Sequence, residues 1–371
     1  MSLLSKFLTI LSVCLLFGCT VPQNKSFAVK AVSYSSLPNW KNDNFQEVLP
    51  ALQANCQALE NDSEWDTFCS GIKRLENASS KQIRKFIENT MTPYAVYTYG
   101  KRQGTFTGYY EASLNGALKQ DDRYKYPIYG IPNDLIILDT KTVCTANGDT
   151  GTQVGRIENK KFIPYFTREE INKKGLDAPI ILWVDNPVNA FILHIQGSGR
   201  VETEDGVFHI GYAANNGHQF IGIGSVLKEA GVLESGKSSM PEIRKWLNEN
   251  PEQAMEYMNK NPRYIFFKIT GQADGPLGAL GVPLTAKRSM AVDKKYIPLG
   301  TLLYLDTSDA QGNEIKKLVV AQDVGGAIKG AVRGDFFWGY GEEAFHSAGK
   351  MKSQGTYYML LPKSKKVPKP F

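Results

Sequence analysis

The sequence contains little cysteine and little histidine, and this scarcity excludes several kinds of site. Its 371 residues include 5 cysteines and 4 histidines. No Cys-x-x-Cys pair occurs and the histidines are scattered, so the ligand spacing of a zinc site is missing. The sequence therefore predicts no metal ion, and nothing in it indicates a cofactor.

An excess of charge of one sign is also missing. There are 43 basic and 37 acidic residues, which are intermixed and give a net charge of +6. A mixed surface argues against nucleic acid as a partner. A weakly basic surface suits an anionic polymer, such as cell-wall glycan that carries peptide acids. The 34 glycines favour turn-rich β structure over a helical bundle.

The N-terminus is predicted to be a processing segment. Lys6 precedes an apolar stretch over residues 7–17, which is too short for a lasting membrane span. The stretch closes with Gly18-Cys19 and resembles a bacterial lipoprotein signal over residues 1–18, with Cys19 as the lipid-bearing first residue. An ordinary secretory signal with an incidental cysteine is the alternative. Thr20 after Cys19, by resemblance to enterobacterial sorting patterns, favours the periplasmic face of the outer membrane.

Two consequences follow for the mature chain. Residues 19–44 are polar, with proline and several serines, and are predicted to form a tether. Export places the remaining cysteines in an oxidising compartment, where Cys56 and Cys69 lie on neighbouring segments and are candidates for a disulfide. Cys144 would then be left free.

Hydrophobic periodicity and turn residues predict a mainly β chain with helices at defined places. Ser79 with Gln82, and Thr167 with Glu170, are capping boxes that each open a helix. Glycine and proline punctuate short strands after residue 273, which is typical of a closed barrel. Further helices are predicted over 45–60 and 220–233 and from Pro241 and Pro251, and strands over 95–99, 104–111, 135–138 (buried), 179–184, 190–195 and 264–268.

The stretch from residue 318 to residue 339 carries the candidate chemistry. An apolar strand leads to Asp323, a Gly-rich turn follows, and Asp335 then precedes Phe336, Phe337 and Trp338. An aspartate beside large aromatics is desolvated, which raises its pKa and lets it hold a proton to donate, as cleavage of a glycosidic bond requires. The alternative is a tight turn that either aspartate merely caps.

Several motifs together resemble the family of membrane-bound lytic murein transglycosylases A, over roughly residues 80–362. Their order and spacing are specific, although each piece alone is weak. The motifs are Phe106-Thr107-Gly108-Tyr109-Tyr110, Ile195-Gln196-Gly197-Ser198-Gly199-Arg200-Val201, Val282-Pro283-Leu284-Thr285, Arg288-Ser289 with Ala291-Val292-Asp293, Ile297-Pro298-Leu299-Gly300, and Gln322-Asp323-Val324-Gly325-Gly326-Ala327-Ile328-Lys329-Gly330 through Asp335.

The resemblance implies two domains with a glycan-binding groove between them. A double-psi β-barrel would be built from residues 45–110, with the N-terminal helices, and 273–371. A smaller, barrel-like β domain with helices would be inserted over 111–272. The reaction implied is cleavage of the β-1,4 bond between N-acetylmuramic acid and N-acetylglucosamine without water, giving 1,6-anhydromuropeptides. The partners implied are peptidoglycan glycan strands, the outer membrane through the lipid, and cell-wall synthesis or scaffold proteins.

The resemblance places the catalytic acid at Asp335, whereas Asp323 is either a second catalytic group or, as we favour, an anchor for the loop. Ser198 is not in a strand-to-helix elbow, so an esterase is disfavoured. A non-catalytic cell-wall binding lipoprotein and a hydrolase that makes reducing ends stay open as alternatives. Candidate substrate-binding residues are Gln196, Ser198, Gly199, Tyr109, Tyr110, Gly326, Lys329 and Tyr340; of the adjacent Tyr109 and Tyr110, one is expected to face sugar and the other the core.

Overall fold

The computed structural model describes residues 26–139, 152–233, 239–271 and 275–364. The predicted signal peptide, Cys19, Cys144 and residues 365–371 of the tail lie outside the described residues. No helix in the described ranges combines the length and the hydrophobicity that a membrane crossing requires. The helices are α1 Leu49–Ala58, α2 Asp66–Ile72, α3 Ser80–Thr90, α4 Arg168–Lys174, α5 Pro187–Gln196, α6 Ile223–Glu229, α7 Met240–Glu249, α8 Pro251–Asn259 and α9 Gly341–Lys350. The strands are β1 Ala28–Ala31, β2 Met91–Tyr97, β3 Gly104–Ala117, β4 Tyr126–Tyr129, β5 Ile136–Asp139, β6 Thr152–Glu158, β7 Lys161–Pro164, β8 Ile180–Val184, β9 Ser198–Thr203, β10 Gly206–Asn215, β11 Ile265–Gly271, β12 Ser289–Val292, β13 Leu302–Ser308, β14 Glu314–Asp323, β15 Arg333–Tyr340 and β16 Lys352–Pro362.

Six strands close into a barrel. Their order is β16, β13, β14, β12, β15 and β3, and β3 pairs back with β16. The pairs β12–β14 and β15–β3 are parallel, and the other pairs in the ring are antiparallel. Side chains alternate along each strand, so that Leu303 and Leu305 fill the barrel while Leu302 and Tyr304 point outward. The predicted mainly β fold with a closed barrel is confirmed.

Helices α1, α2 and α3 cover one outer face of the barrel. Their apolar residues pack against outward-facing side chains of β13, β14 and β16. Cys56 in α1 and Cys69 in α2 form the predicted disulfide, with their Cα atoms 5.3 Å apart. The predicted capping box of Ser79 and Gln82 begins α3, because each side chain accepts a hydrogen bond from the other residue's backbone N–H.

The predicted tether is wrong from residue 26 onward, because the chain there is folded onto the barrel. Strand β1 pairs antiparallel with β2. Trp40 is buried, and its ring lies 5.0 Å from that of Tyr304. The Asp43 carboxylate accepts a hydrogen bond of 2.7 Å from Arg288. The segment is polar in overall composition, but a few residues such as Trp40 and Asp43 contact the barrel and hold it in place.

Strand β3 connects the barrel to a second β domain. It pairs with β15 as far as Glu111 and with β9 from Ala112 onward. Strands β9, β10 and β11 are consecutive antiparallel neighbours, and the end of β3 pairs with β8, which pairs with β4. The predicted domain boundary between residues 110 and 111 lies beside this change of partners, and the domain ranges themselves stay a prediction.

The predicted strand over residues 190–195 is wrong, since this segment lies inside helix α5. The Asn186 side chain accepts a hydrogen bond of 2.9 Å from the backbone N–H of Asn189, and Pro187 is the first helical residue. Gly197, at φ +81°, ends the helix in the left-handed conformation that glycine adopts without strain. The continuous apolar run reflects burial in the second domain, and the residues at its two ends decide the secondary structure.

Two further predictions need correction. Helix α9 lies after residue 273, where short strands separated by turns were predicted, and its Phe345 and Ala348 pack into the core of the second domain. The strand predicted over residues 135–138 exists as β5, but Ile137 is 54% exposed. Strand β5 is at the edge of a separate three-stranded sheet, β5-β6-β7, so its apolar run does not mark a core position.

Candidate active site

The two predicted aspartates lie on either side of one strand. Asp323 ends β14, Asp335 lies in β15, and both are register partners of Ala291 in β12. Because neighbouring strands are about 4.8 Å apart, their Cα atoms are separated by roughly 10 Å. Phe336 points into the barrel, so Asp335 projects from the outer face. The fold thus brings the two carboxyl groups to one outer surface of the barrel.

Asp335 is held by a short chain of hydrogen bonds. The Thr107 hydroxyl donates to Oδ1 of Asp335 at 2.5 Å, and Nη2 of Arg333 donates to the same hydroxyl oxygen at 2.9 Å. Thr107 is the register partner of Asp335 on the adjacent strand β3. Burial raises the pKa of Asp335, although the Thr107 hydrogen bond and the Arg333 charge act to lower it. Asp335 as a residue is partly buried, and its carboxyl is desolvated by that burial.

Asp323 accepts hydrogen bonds from two sides. The backbone N–H of Ala279 donates to its Oδ1 at 3.0 Å, and the Tyr109 hydroxyl donates to its Oδ2 at 3.0 Å. Burial raises the pKa of Asp323 to about 6 against these hydrogen bonds, and the negative charge of Asp335 adds to the rise. Asp323 therefore anchors the loop at Ala279 and also lies within electrostatic reach of Asp335.

The aromatic residues after Asp335 do not form the single pocket that the sequence suggested. Phe336 points into the barrel and packs edge-on against Trp338, at 5.3 Å between ring centroids. Phe337 packs against Tyr109 on the outer face, at 5.1 Å. Because neighbouring side chains of a strand point to opposite faces, Phe336 lies on the other face from Asp335. Phe337, packed on Tyr109, is therefore the aromatic residue that shares the outer face with Asp335.

The structure decides between the two adjacent tyrosines. Tyr109 is in the site through its hydrogen bond to Asp323. Tyr110 points the other way into the core of the second domain, where its ring lies 5.2 Å from that of Phe345. Tyr110 as a sugar-binding residue is therefore a wrong prediction, because the strand alternates and this position belongs to the core.

The Gln-Gly-Ser-Gly motif is at the junction of α5 and β9. Oε1 of Gln196 accepts a hydrogen bond of 3.3 Å from the backbone N–H of Tyr110, which ties the helix end to β3. Ser198 begins β9 and is partly buried. A Cβ at Gly199 would lie 2.8 Å from the carbonyl oxygen of Ala112, so glycine is required here for strand packing. This packing role explains the glycine at position 199, and substrate contacts of Gln196, Ser198 and Gly199 stay predictions.

The remaining predicted binding residues differ in their surroundings. Gly326 and Lys329 are exposed in the loop between the two aspartates, and their contacts with substrate stay predictions. Tyr340 is 63% exposed, and the Arg200 guanidinium lies over its ring at 4.2 Å from the centroid. This tyrosine presents a fixed aromatic surface at the end of β15.

Several polar residues of the site were missed from the sequence. They are Arg333, Glu111 and His209, together with Thr107 and Arg200, which were quoted only as parts of motifs. Alternation along β3 was the available signal, because it places residues 107, 109 and 111 on one face. Within the four described ranges, no group of three or more His, Cys, Asp or Glu side chains could hold a metal ion.

Comparison with known proteins agrees with this geometry. The family described as "MltA specific insert domain" matches residues 105–268, and the family described as "3D domain" matches residues 288–361. The membrane-bound lytic murein transglycosylase A of Escherichia coli (strain K12) is 31% identical over 292 residues, which are 76% of this chain and 71% of that protein.

Solved structures extend the similarity over nearly all of the chain. The crystal structure of MltA from Neisseria gonorrhoeae has a TM-score of 0.83 and 37% identity, covering 92% of this chain and 94% of that one. The crystal structure of E. coli MltA with bound chitohexaose has a TM-score of 0.67 and 25% identity, covering 93% and 96%. Sequence, domain content and fold agree, and the chain belongs to the family of membrane-bound lytic murein transglycosylases A.

Proposed function

We propose that this protein is a peptidoglycan lytic transglycosylase. It cleaves the β-1,4 bond between N-acetylmuramic acid and N-acetylglucosamine without water and releases 1,6-anhydromuropeptides. The name of the E. coli relative and the chitohexaose bound to the E. coli structure support a glycan substrate. The observation that carries the proposal is Asp335, a partly buried carboxyl with a raised pKa on the outer face of the barrel.

One carboxyl suffices for this reaction because the substrate supplies its own nucleophile. Asp335 in its protonated form donates the proton to the leaving glycosidic oxygen. The resulting carboxylate then takes the proton from the C6 hydroxyl of the muramyl sugar as this hydroxyl attacks C1. Attack within one sugar has a high effective concentration, so no second carboxylate is needed to activate water.

The hydrogen bonds around Asp335 support different roles for its two oxygens. Thr107 donates to Oδ1, and the Thr107 oxygen in turn accepts from Arg333. The proton of the Thr107 hydroxyl is therefore directed at Oδ1, and Oδ2 is the oxygen that exchanges a proton with substrate. Asp323 and Tyr109 support the site from the side, where the Tyr109 hydroxyl donates a hydrogen bond to the Asp323 carboxyl.

The test is product analysis with purified sacculi. The wild-type chain is expected to release soluble products whose mass is one water lower than that of the reducing form. Asp335→Asn should lose this release by a factor of about 100 or more, the usual contribution of a general acid. Asp309→Asn, in the turn between β13 and β14, is the matched control and should retain activity.

Each other outcome selects a different function. Products with reducing ends would identify a hydrolase. Binding to sacculi without release of product by the wild type would identify a cell-wall binding lipoprotein. Full activity of Asp335→Asn would move the catalytic role to another residue.

The proposed location is the periplasmic face of the outer membrane, with a lipid on Cys19. The Gly18-Cys19 pattern supports a lipoprotein signal, and the E. coli relative is named as membrane-bound. Labelling of cells with a radioactive fatty acid tests this, since Cys19→Ser should abolish the label. Association with cell-wall synthesis or scaffold proteins stays a prediction of the family resemblance.

A further inference from the structure

One face of β3 presents three polar side chains in sequence. Thr107 contacts Asp335 and Tyr109 contacts Asp323. Glu111 is next on that face and lies four residues beyond Thr107, which is about 13 Å along a strand. Its carboxyl accepts from or shares a proton with Nδ1 of His209 in β10, at 3.1 Å. Along this face of β3, the contacts with the two aspartates are therefore followed by a third acidic group, Glu111, on the side of the second domain.

A cavity of about 400 Å³ opens at this third position. The barrel contributes Phe337 and Tyr340, and the second domain contributes Arg200 and His209, with Glu111 between them. Phe337 also packs on Tyr109, at 5.1 Å between ring centroids. The cavity consequently adjoins the acid pair and is large enough for part of a sugar with its substituent.

Arg200 is a fixed cation in this cavity. The carbon of its guanidinium lies over the Tyr340 ring, 4.2 Å from the centroid, and this cation–π contact holds the group in place. It is a register partner of His209 across β9 and β10. A fixed guanidinium with its face covered offers its N–H edge, which matches a carboxylate in two parallel hydrogen bonds.

The charges around Arg200 leave room for an anion. Glu111 is 1% exposed and is the acidic group in contact with His209. Burial raises the pKa of Glu111, against the lowering effects of His209 and Arg200. An ion pair between Glu111 and His209 carries no net charge, so this pair does not neutralise the positive charge of Arg200.

We propose that this cavity binds a carboxylate carried by the muramyl residues of the glycan, with Arg200 as the main contact and Glu111 positioning His209 beside it. The proposal rests on the proposed function, because it names how the same groove selects its substrate. A muramyl residue carries this carboxylate either on its bare lactyl group or on its stem peptide. Chitohexaose, a polymer of N-acetylglucosamine, carries none.

Binding is measured by calorimetry with the full-length chain in detergent, carrying Asp335→Asn so that ligands are not cut. Three ligands are compared: chitohexaose, a muramyl oligosaccharide stripped of peptide, and the same oligosaccharide with stem peptides. Arg200→Gln is expected to weaken binding of a carboxylate ligand by about 10- to 100-fold, the value of a charge-assisted hydrogen bond. Chitohexaose should change by less than about threefold.

The pattern of loss identifies the source of the carboxylate. Loss confined to the stripped ligand assigns the lactyl group, and loss confined to the peptide-bearing ligand assigns the stem. Arg200→Lys, which keeps the charge and loses the planar fork, should give an intermediate effect. Near-ultraviolet circular dichroism checks that each variant is folded. If Arg200→Gln does not fold, His209→Gln tests the same cavity.

Two results overturn the inference without touching the proposed function. Equal weakening of all three ligands would make Arg200 a general sugar contact, and no weakening would leave it a structural residue. If the Asp335→Asn protein with Arg200 intact bound none of the three ligands, this result would instead contradict the proposed function itself.

Discussion

Replacing Asp323 by Asn tests whether the raised pKa of Asp323 makes the stability of the protein depend on pH. Burial raises the pKa of Asp323 in the folded protein to about 6, from the ordinary value of 3.8. The folded protein therefore holds this proton more tightly than the unfolded chain does. The stabilisation from the bound proton is fully present below about pH 4 and is lost as the pH rises through about 6. Asn is similar in shape and neutral throughout, so Asp323→Asn should remove this pH dependence.

The magnitude follows from the size of the shift. A difference of about 2 pKa units corresponds to about 3 kcal/mol at 1.36 kcal/mol per unit. The free energy of unfolding of Asp323→Asn minus that of wild type should thus be about 3 kcal/mol larger at pH 8 than at pH 4, which means that the variant gains stability relative to wild type as the pH rises. Urea unfolding followed by tryptophan fluorescence at a series of pH values measures this difference, and effects common to both proteins cancel.

Asp309→Asn is the control with the opposite sign. Burial would raise the pKa of Asp309, but hydrogen bonds from Asn313, Gln311 and Gly312 outweigh it and lower the pKa. Asp309 therefore stabilises the protein at higher pH, and this contribution is lost as the pH falls through its folded pKa. A difference in unfolding free energy between Asp323→Asn and wild type that stays constant within about 0.5 kcal/mol from pH 4 to pH 8 would refute the reasoning about Asp323.

Two further predictions concern the support of the site. Asp43→Ala leaves the buried Arg288 guanidinium without its main partner, so the free energy of unfolding in urea should fall by about 3 to 5 kcal/mol; Glu169→Ala, in an exposed helical ion pair, is the control and should cost much less. Thr107→Val removes the hydrogen bond that lowers the pKa of Asp335, so the alkaline limb of the activity profile should move to higher pH, with kcat at neutral pH reduced by about tenfold or more. Thr107→Ser should restore both, and an unchanged profile for Thr107→Val would show that Asp335 does not depend on this hydroxyl.

Local signals in the sequence predicted several features correctly. The capping box at Ser79, the Cys56–Cys69 bridge and the barrel strands after residue 273 depend on neighbouring residues or on repeated turns, so they can be read from the chain itself. The order of Asp323 and Asp335 around a Gly-rich loop also pointed to the two carboxyls that the fold brings together.

Features that depend on distant partners could not be read in this way. The segment around Asp43 was predicted to be a tether, since its partner Arg288 is 245 residues away. Helix α5 was predicted to be a strand because a buried helix and a buried strand have the same apolar composition. The separate roles of Tyr109 and Tyr110 required knowledge of which face of β3 meets the second domain.

The sequence by itself determined which residue types the site has and where turns, caps and strands begin. The tertiary structure decided which side chains meet: it placed Thr107 against Asp335, Tyr109 against Asp323, and Glu111 against His209. The physical reason is that strand pairing sets register across long sequence separations, and register fixes which face each alternate side chain occupies. The pKa values of the acids follow from that burial, so the chemistry of the site is a property of the folded chain.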